Sequence, residues 1–305
     1  MAEERLANKD MWFANIACNQ GLVKEYNLES CAVEYTDRHE YREYLREMPL
    51  MTYIRIFRSM WREHNIRKAN KTRDKCIVVG AGPSAGEAVT FLSSAKRQGW
   101  KIIAVDRARP LLMDHGVLPD FTVTLDGQDF VADWFDDLHE EETIMASLQT
   151  HPALIKKIHK SPAKLLMYSA TGPGGYSEYI KEKLGEDMLH VHASITVMPT
   201  AIFFAFKMGF KTVVTIGTEL GWKSKEAILD EWYQNMAYET KDGWWTIKPF
   251  EDAADGFDNL AKNVFMSNEF YKDKKIYHEK VLIDSSGGLD KGYPYMPLDE
   301  VLKKY

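Results

Sequence analysis

The stretch Lys75-Cys76-Ile77-Val78-Val79-Gly80-Ala81-Gly82-Pro83-Ser84 decides the fold class of this chain. Cys76–Val79 is an apolar run without polar alternation, the pattern of a strand buried on both faces. It leads into a glycine turn with a helix beginning behind it. Gly80 and Gly82 let backbone pass close to a ligand where a Cβ would clash. Pro83 suits a first helical turn, Ser84 adds a hydroxyl, and the free N–H groups of a helix start attract phosphate. The stretch therefore predicts a nucleotide or phosphate site in an α/β domain. The dinucleotide fingerprint would need a third glycine three residues after the second. Here position 85 is Ala, and Gly86 comes one place late.

Downstream the pattern repeats. Gly86–Gln98 reads as a helix ending at Gly99, Lys101–Val105 as a second strand and Pro110–His115 as a short helix stopped by Gly116. Phe121–Leu125 reads as a third strand, Glu142–Ser147 as a fourth and Lys164–Tyr168 as a fifth. Met198–Met208 is a helix ending at Gly209, followed by the β-branched strand Thr212–Ile216. Alternating short apolar strands and helices predict right-handed crossovers and a doubly wound, mostly parallel, Rossmann-like α/β sheet. In such sheets ligands bind beyond the carboxyl ends of the strands. Those ends read Gly80–Ser84, Asp106-Arg107-Ala108, Asp126-Gly127-Gln128-Asp129 and Gly217-Thr218-Glu219.

The flanks differ. Residues 1–72 read as an N-terminal helical cap, with Pro49 separating two helices. Residues 73–305 form the nucleotide-binding domain, and the Trp-, Asp- and Lys-rich segment at about 223–256 reads as a lid-like insertion. Beyond it, Phe257–Asp273 is a predicted helix, Lys280–Ile283 a strand and Leu298–Lys304 a closing helix.

With 305 residues, 45% hydrophobic and 28% charged, the chain has enough apolar sequence to bury a large core. Cys18, Cys31 and Cys76 have no metal-like spacing, which argues against a disulfide framework or a zinc site. The start Met-Ala-Glu-Glu-Arg lacks the apolar run of a signal peptide, and no stretch is long and apolar enough to span a membrane. The expectation is a cytoplasmic protein with no membrane partner; a homo-oligomer stays open. The net charge of −6 argues against a general nucleic-acid coat, but the charge is uneven. From Arg55 to Lys75 eight basic residues face only Glu63 and Asp74, so this segment carries +6 and the remainder −12. Leu50, Ile54, Phe57 and Trp61 recur at helical spacing, leaving the arginines on the other face. That face is either simply solvated or a surface for an anionic ligand, with Arg62, Arg67 and Lys68 as the acceptor-binding candidates.

The string Gly80–Ser84 resembles the opening motif of the domain shared by motility-associated-factor glycosyltransferases of flagellin and archaeal 6-hydroxymethylpterin diphosphokinases. It is also similar to the start of bacterial sialyltransferases that use CMP-sialic acid. Ile103–Asp106 with Leu111-Leu112 and Gly116–Asp120 resembles the second block of that family, and Val123–Gln128 its acidic turn. Ser194–Thr200, Met208–Lys211 and Ile216–Leu220 are similar to its helix–strand–Gly-x-Asp-Leu segment. Ile283–Gly288 resembles its late Asn-x-x-x-Gly-Gly loop. The resemblance covers roughly residues 75–300. Three departures stand out: Ala85 replaces a leucine, Glu219 an aspartate, and Asp255–Lys262 holds no counterpart of the sialyltransferase histidine.

The resemblance implies that Gly80, Ala81, Gly82, Pro83, Ser84 and Gly217 hold a nucleotide's phosphates, that Asp106 lies beside the nucleoside, and that Ser194 and Thr196 face the donor. Asp106 and the two hydroxyls are equally able to serve as helix N-caps. Asp126 and Asp129 could bridge Mg²⁺ to phosphates, orient a sugar or act as a base, or simply form a turn. Glu219, at a strand's carboxyl end, is the candidate for acceptor or base work, ahead of His151, His190 and His192. Two enzyme readings compete: sugar transfer from a nucleotide-sugar donor to a hydroxyl on a protein, a glycan or a hydroxylated DNA base, and Mg²⁺-dependent pyrophosphate transfer from ATP. The ordered match through Leu220, the late glycine loop and the sparse acidic turn favour sugar transfer. A non-catalytic nucleotide-binding module is the third reading.

Overall fold

The computed structural model describes residues 11, 14–16, 18, 19, 21, 22, 25, 26, 29, 30, 75–171, 190–192, 196–228, 231–272 and 280–305. Its strands are β1 (Glu29–Ser30), β2 (Lys75–Val79), β3 (Lys101–Val105), β4 (Phe121–Thr124), β5 (Thr143–Ser147), β6 (Lys164–Thr171), β7 (His190–His192), β8 (Thr212–Ile216), β9 (Tyr238–Glu239), β10 (Trp245–Thr246) and β11 (Val281–Asp284). Its helices are α1 (Pro83–Arg97), α2 (Ala108–Asp114), α3 (Pro152–His159), α4 (Met198–Lys207), α5 (Glu231–Met236), α6 (Lys248–Lys272) and α7 (Leu298–Lys304). None of the described helices is long and apolar enough to cross a membrane.

The chain divides into two compact units: Met1–Lys71 with Thr124–Ala132 and Leu138–His192, and Thr72–Val123 with Asp133–Asp137 and Ala193–Tyr305. The second unit is the doubly wound one. Its strands are all parallel in the order β4-β3-β2-β8-β11. They are short and almost wholly buried, as runs such as Cys76–Val79 and Val213–Ile216 require. The chain steps outward from β2 to β3 and β4, then returns with β8 on the other side of β2. Strand order therefore reverses between β2 and β8, where open α/β sheets bind ligands. This is the Rossmann-like α/β class that the sequence predicts.

Helix α1 buries Ala85, Ala88, Val89, Leu92 and Ala95, a stripe at helical spacing, and packs on β3 and β8. Helix α4 packs on β2, β3 and β8. Arg109 of α2 is 1% exposed and donates to the carbonyls of Trp134 (3.2 Å), Asp136 (2.7 Å) and Asp137 (3.1 Å). That fork pins residues 133–137 to this unit.

The segment 223–256, expected as a lid, is built from a 3₁₀ turn (Lys225–Ala227), α5, the β9–β10 hairpin and the first turns of α6. Trp222 and Trp245 exchange backbone hydrogen bonds of 2.7 and 2.8 Å. The Trp222 ring packs against Tyr233 (5.9 Å) and Phe250 (5.6 Å). Helix α6 starts well before Phe257 and runs through Gly256, because Ala253, Phe257 and Ala261 form one buried stripe that extends the pattern backwards.

In the first unit β6 pairs in parallel with β5, with β1 and, through Ser169–Thr171, with β7. The N-terminal segment is therefore not only helical: Glu29–Ser30 adds a strand beside Leu166–Met167. A helical stretch carries Asn15 and Asn19, four residues apart and both buried. Asn15 Nδ2 donates to the carbonyls of Gly127 (3.0 Å) and Gln149 (3.1 Å). Asn19 Nδ2 donates to those of Leu148 (3.0 Å) and Thr150 (2.7 Å). Residues up to Lys71 share a unit with 124–132 and 138–192.

Asn19→Ala leaves the Leu148 and Thr150 carbonyls without this donor, so it should cost about 1–3 kcal/mol. Thermal unfolding followed by far-UV circular dichroism checks this; an unchanged midpoint would show that the asparagine contributes nothing to the anchor.

Candidate active site

The two loops that leave β2 and β8 lock together through backbone. Pairing of Val79 with Ile216 continues past the strand ends. Gly80 N–H donates to the Ile216 carbonyl (2.8 Å), and Gly82 N–H to that of Gly217 (2.9 Å). Gly217 N–H donates to Ser84 Oγ at 2.9 Å. A Cβ on Gly80 or on Gly217 would collide with the carbonyl of the other. Gly217 also has φ +68°, a left-handed backbone that favours glycine. These glycines are explained by the approach of two protein backbones.

Glu219 closes the junction. Ser84 N–H, at the N-terminus of α1, donates to Glu219 Oε1 at 2.6 Å, and Glu219 is only 3% exposed. Its Oε2 is buried without a hydrogen-bond partner and occupies the space that a Cβ on Gly82 would need. Burial pushes the carboxyl above its ordinary value of 4.5; hydrogen bonding from Ser84 and the charge of Lys291 oppose that rise without cancelling it.

A second layer comes from the loop after β11. Gly288, at φ +88°, lies against the backbone of Glu219, and Leu289 N–H donates to the Glu219 carbonyl at 2.9 Å. Thr218 N–H donates to Ser286 Oγ at 3.0 Å. Asp284, at the end of β11, accepts from Ser286 N–H (3.1 Å), Thr215 Oγ1 (3.2 Å) and Gly287 N–H (3.2 Å). It pairs with Lys291 Nζ at 2.9 Å, with the two side chains 7% and 1% exposed respectively. Lys291 also donates to the carbonyls of Gly287 (2.7 Å) and Leu289 (3.1 Å). Tyr293 OH meets Thr215 Oγ1 at 3.2 Å; burial first, and Asp284 second, push this phenol well up, so it stays protonated. Sequence reading marked the Asp284–Gly288 loop but missed Lys291 and Tyr293, which look like ordinary surface residues of a Lys- and Tyr-rich tail.

The other expected residues fall as follows. Met198 Sδ lies 3.2 Å from where a Cβ on Gly80 would sit, so the start of α4 borders the glycine loop. Thr196, just before it, has a buried Oγ1 with no partner. Asp106 is 5% exposed and accepts from Arg107 N–H at 2.8 Å at the start of α2. Asp126 and Asp129 belong to the other unit. Asp126 Oδ1 accepts from Gln128 N–H (3.0 Å), Asp129 Oδ1 from Phe130 N–H (2.9 Å), and His151 caps α3. Each carboxylate thus accepts from a nearby amide, as turn-formers do. They offer a small donor set for Mg²⁺, and among the described residues no group of three or more His, Cys, Asp or Glu is placed to hold a metal. Ser194, Arg62, Arg67 and Lys68 lie outside the described residues, as do the side chains of His190 and His192.

A family model described as 6-hydroxymethylpterin diphosphokinase MptE-like matches residues 53–225, more than half of the chain. The chain belongs to this family. Among solved structures it is similar to the MAf glycosyltransferase from Magnetospirillum magneticum AMB-1, at TM-score 0.53 and 16% identity, over 77% of this chain and 37% of that one. At that identity the likeness is one of fold, and the chain spans little more than a third of that protein's length. Comparison with curated proteins gives no match. The match to the family ends at residue 225, so Asp284, Lys291 and Tyr293 lie beyond it.

Two outcomes follow. Lys291→Met strands the buried Asp284 carboxylate and should cost about 3–5 kcal/mol, read by urea unfolding. For Glu219 the folded carboxyl binds its proton more tightly than the unfolded one. Its stabilisation is therefore complete below the ordinary value of 4.5 and is lost as pH rises through the elevated folded value. The melting-temperature difference between wild type and Glu219→Gln should shift against wild type over that interval; a difference that stays flat with pH would contradict the burial of this group.

Proposed function

We propose that this protein is a transferase that moves a sugar from a nucleotide-sugar donor to an acceptor hydroxyl. The observation that carries the reading is Glu219: a buried carboxylate of raised proton affinity, with one oxygen unpaired, at the point where strand order reverses. A base with its pKa moved toward neutrality suits removal of a hydroxyl proton. The donor's phosphates sit at the N-terminus of α1, beside Gly80–Ser84, with Asp106 and Thr196 toward the nucleoside and donor. As the acceptor oxygen bonds to the anomeric carbon, the bond to the leaving phosphate breaks and the acceptor proton passes to Glu219. Negative charge building on that phosphate meets the amides and dipole of α1. The acceptor is a protein, a glycan or a hydroxylated DNA base, and the +6 segment Arg55–Lys75, with Arg62, Arg67 and Lys68, suits a polyanion.

The family's description favours a second reading, pyrophosphate transfer from ATP. Mg²⁺ would neutralise charge on the transferring phosphates. The acceptor proton would again go to Glu219. A panel of CMP, UDP, GDP and ATP, each with and without Mg²⁺, separates the readings by thermal shift. Stabilisation by CMP, UDP or GDP, followed by turnover of the matching nucleotide sugar, is the expected result. Stabilisation by ATP only with Mg²⁺ would replace sugar transfer by pyrophosphate transfer, and binding without any turnover would leave a nucleotide-binding module. With the active donor in hand, Glu219→Gln should lower kcat by about 10²–10⁴; retention of full kcat would remove Glu219 as the base.

A further inference from the structure

Four amides of the loop after β2 are already engaged. Gly80, Gly82 and Ala85 donate to the carbonyls of Ile216, Gly217 and Gly82, at 2.8, 2.9 and 3.0 Å. Ser84 donates to Glu219 Oε1, and Pro83 has no N–H to give. Of these acceptors, only Glu219 is a side chain, and it can leave without breaking the backbone hydrogen bonds of the β2–β8 junction. It is an anion at the N-terminus of a fifteen-residue helix, where the dipole and unsatisfied amides favour negative charge. The first turn of α1 carries no acidic residue of its own.

A second observation points to a ligand. Glu219 is 3% exposed, yet its Oε2 has no hydrogen-bond partner and lies against Gly82, the N-cap of α1. A buried carboxylate with one oxygen left unpartnered has given up hydration that its hydrogen bonds do not fully replace, and desolvation is the largest influence on its proton affinity. The charge that acts on it is Lys291, whose ammonium is tied to Asp284 and to two carbonyls.

We propose that Glu219 is the exchangeable internal occupant of a phosphate site. In the free protein its carboxylate fills the N-terminus of α1, and the diphosphate of a nucleotide displaces it and takes the Ser84 N–H. Exchange ties the two halves of the reaction together, because donor binding releases the carboxylate that acts on the acceptor. The identity of the ligand rests on the donor reading above; the replacement of one anion by another does not.

The test is calorimetric titration of inorganic pyrophosphate, UDP and ATP into wild type, Glu219→Ala and Glu219→Gln. Removing the internal competitor should tighten pyrophosphate binding about tenfold in Glu219→Ala, the worth of one hydrogen bond to a charged group. Glu219→Gln keeps the size of the side chain but not its charge, and should fall between; it carries the test if the alanine variant fails to fold. Unchanged or weaker pyrophosphate binding in both variants overturns the exchange, as does absence of binding in all three proteins. The donor reading fails separately, when UDP and ATP bind no better than pyrophosphate while the variants still gain on it.

Discussion

The contact on which the site depends is the one between two backbones, Gly80–Gly82 and Gly217. Parallel strands β2 and β8 are adjacent in the sheet and end at the same edge, so the loops that leave them compete for the same space. Removing three Cβ atoms resolves that competition. Once the loops touch, the amides that might have faced a ligand find carbonyls of the neighbouring loop instead. The turn becomes a rigid extension of the sheet, and Ser84 N–H at the helix start is the donor that faces an anion. Glu219 takes that donor because it follows the same strand, β8, that supplies Gly217.

Two buried charges of opposite sign then set the electrostatics behind the loop. Lys291 is surrounded by Asp284 and by carbonyls of its own loop, so most of its field is spent locally. What reaches Glu219 lowers its proton affinity, and so does the Ser84 hydrogen bond, but desolvation is the larger effect. The result is a carboxyl whose proton affinity stays raised, which an ion pair in direct contact would oppose. The hydroxyls of Thr215 and Thr218 donate to Asp284, and those of Tyr293 and Ser286 bond in turn to these two, without adding charge at ordinary pH.

Much of this fold is legible in the sequence because strand signals are local. Val78-Val79, Ile102-Ile103 and Val213-Val214 are apolar, β-branched and bounded by turns, and they appear as strands within a residue or two of where they read. What lies at the strand ends is also legible as a list. What is not legible is the partner of each residue. Gly80 and Gly82 look the same whether a phosphate or a second backbone comes close, and the backbone that does come is some 135 residues away in the chain. Lys291 reads as a solvated lysine until Asp284 is known to be buried beside it. Nothing local to Asn15 and Asn19 announces the carbonyls of 148–150 that they serve. Asp126 and Asp129 are ambiguous in another way: two acids in a glycine turn resemble a metal site, and each also accepts from an amide one or two residues further on, as a turn-former does.

The missing third glycine now has a physical reading. In the dinucleotide fingerprint that glycine lets the helix pack closely against the strand, leaving the turn open to a resident pyrophosphate. Here the position is Ala85, wholly buried, whose Cβ would stand 3.0 Å from a Cβ on Gly217. The junction is therefore filled by protein, and the anionic place is filled by Glu219. A ligand that must displace a carboxylate gains only the difference between two similar charge-assisted hydrogen bonds, so its net affinity from this contact is small. Such an arrangement suits a substrate that arrives, reacts and leaves as product better than a cofactor that stays bound. The same exchange works in reverse: once Glu219 has released the acceptor's proton to solvent, its returning carboxylate helps to expel the spent phosphate from the helix start.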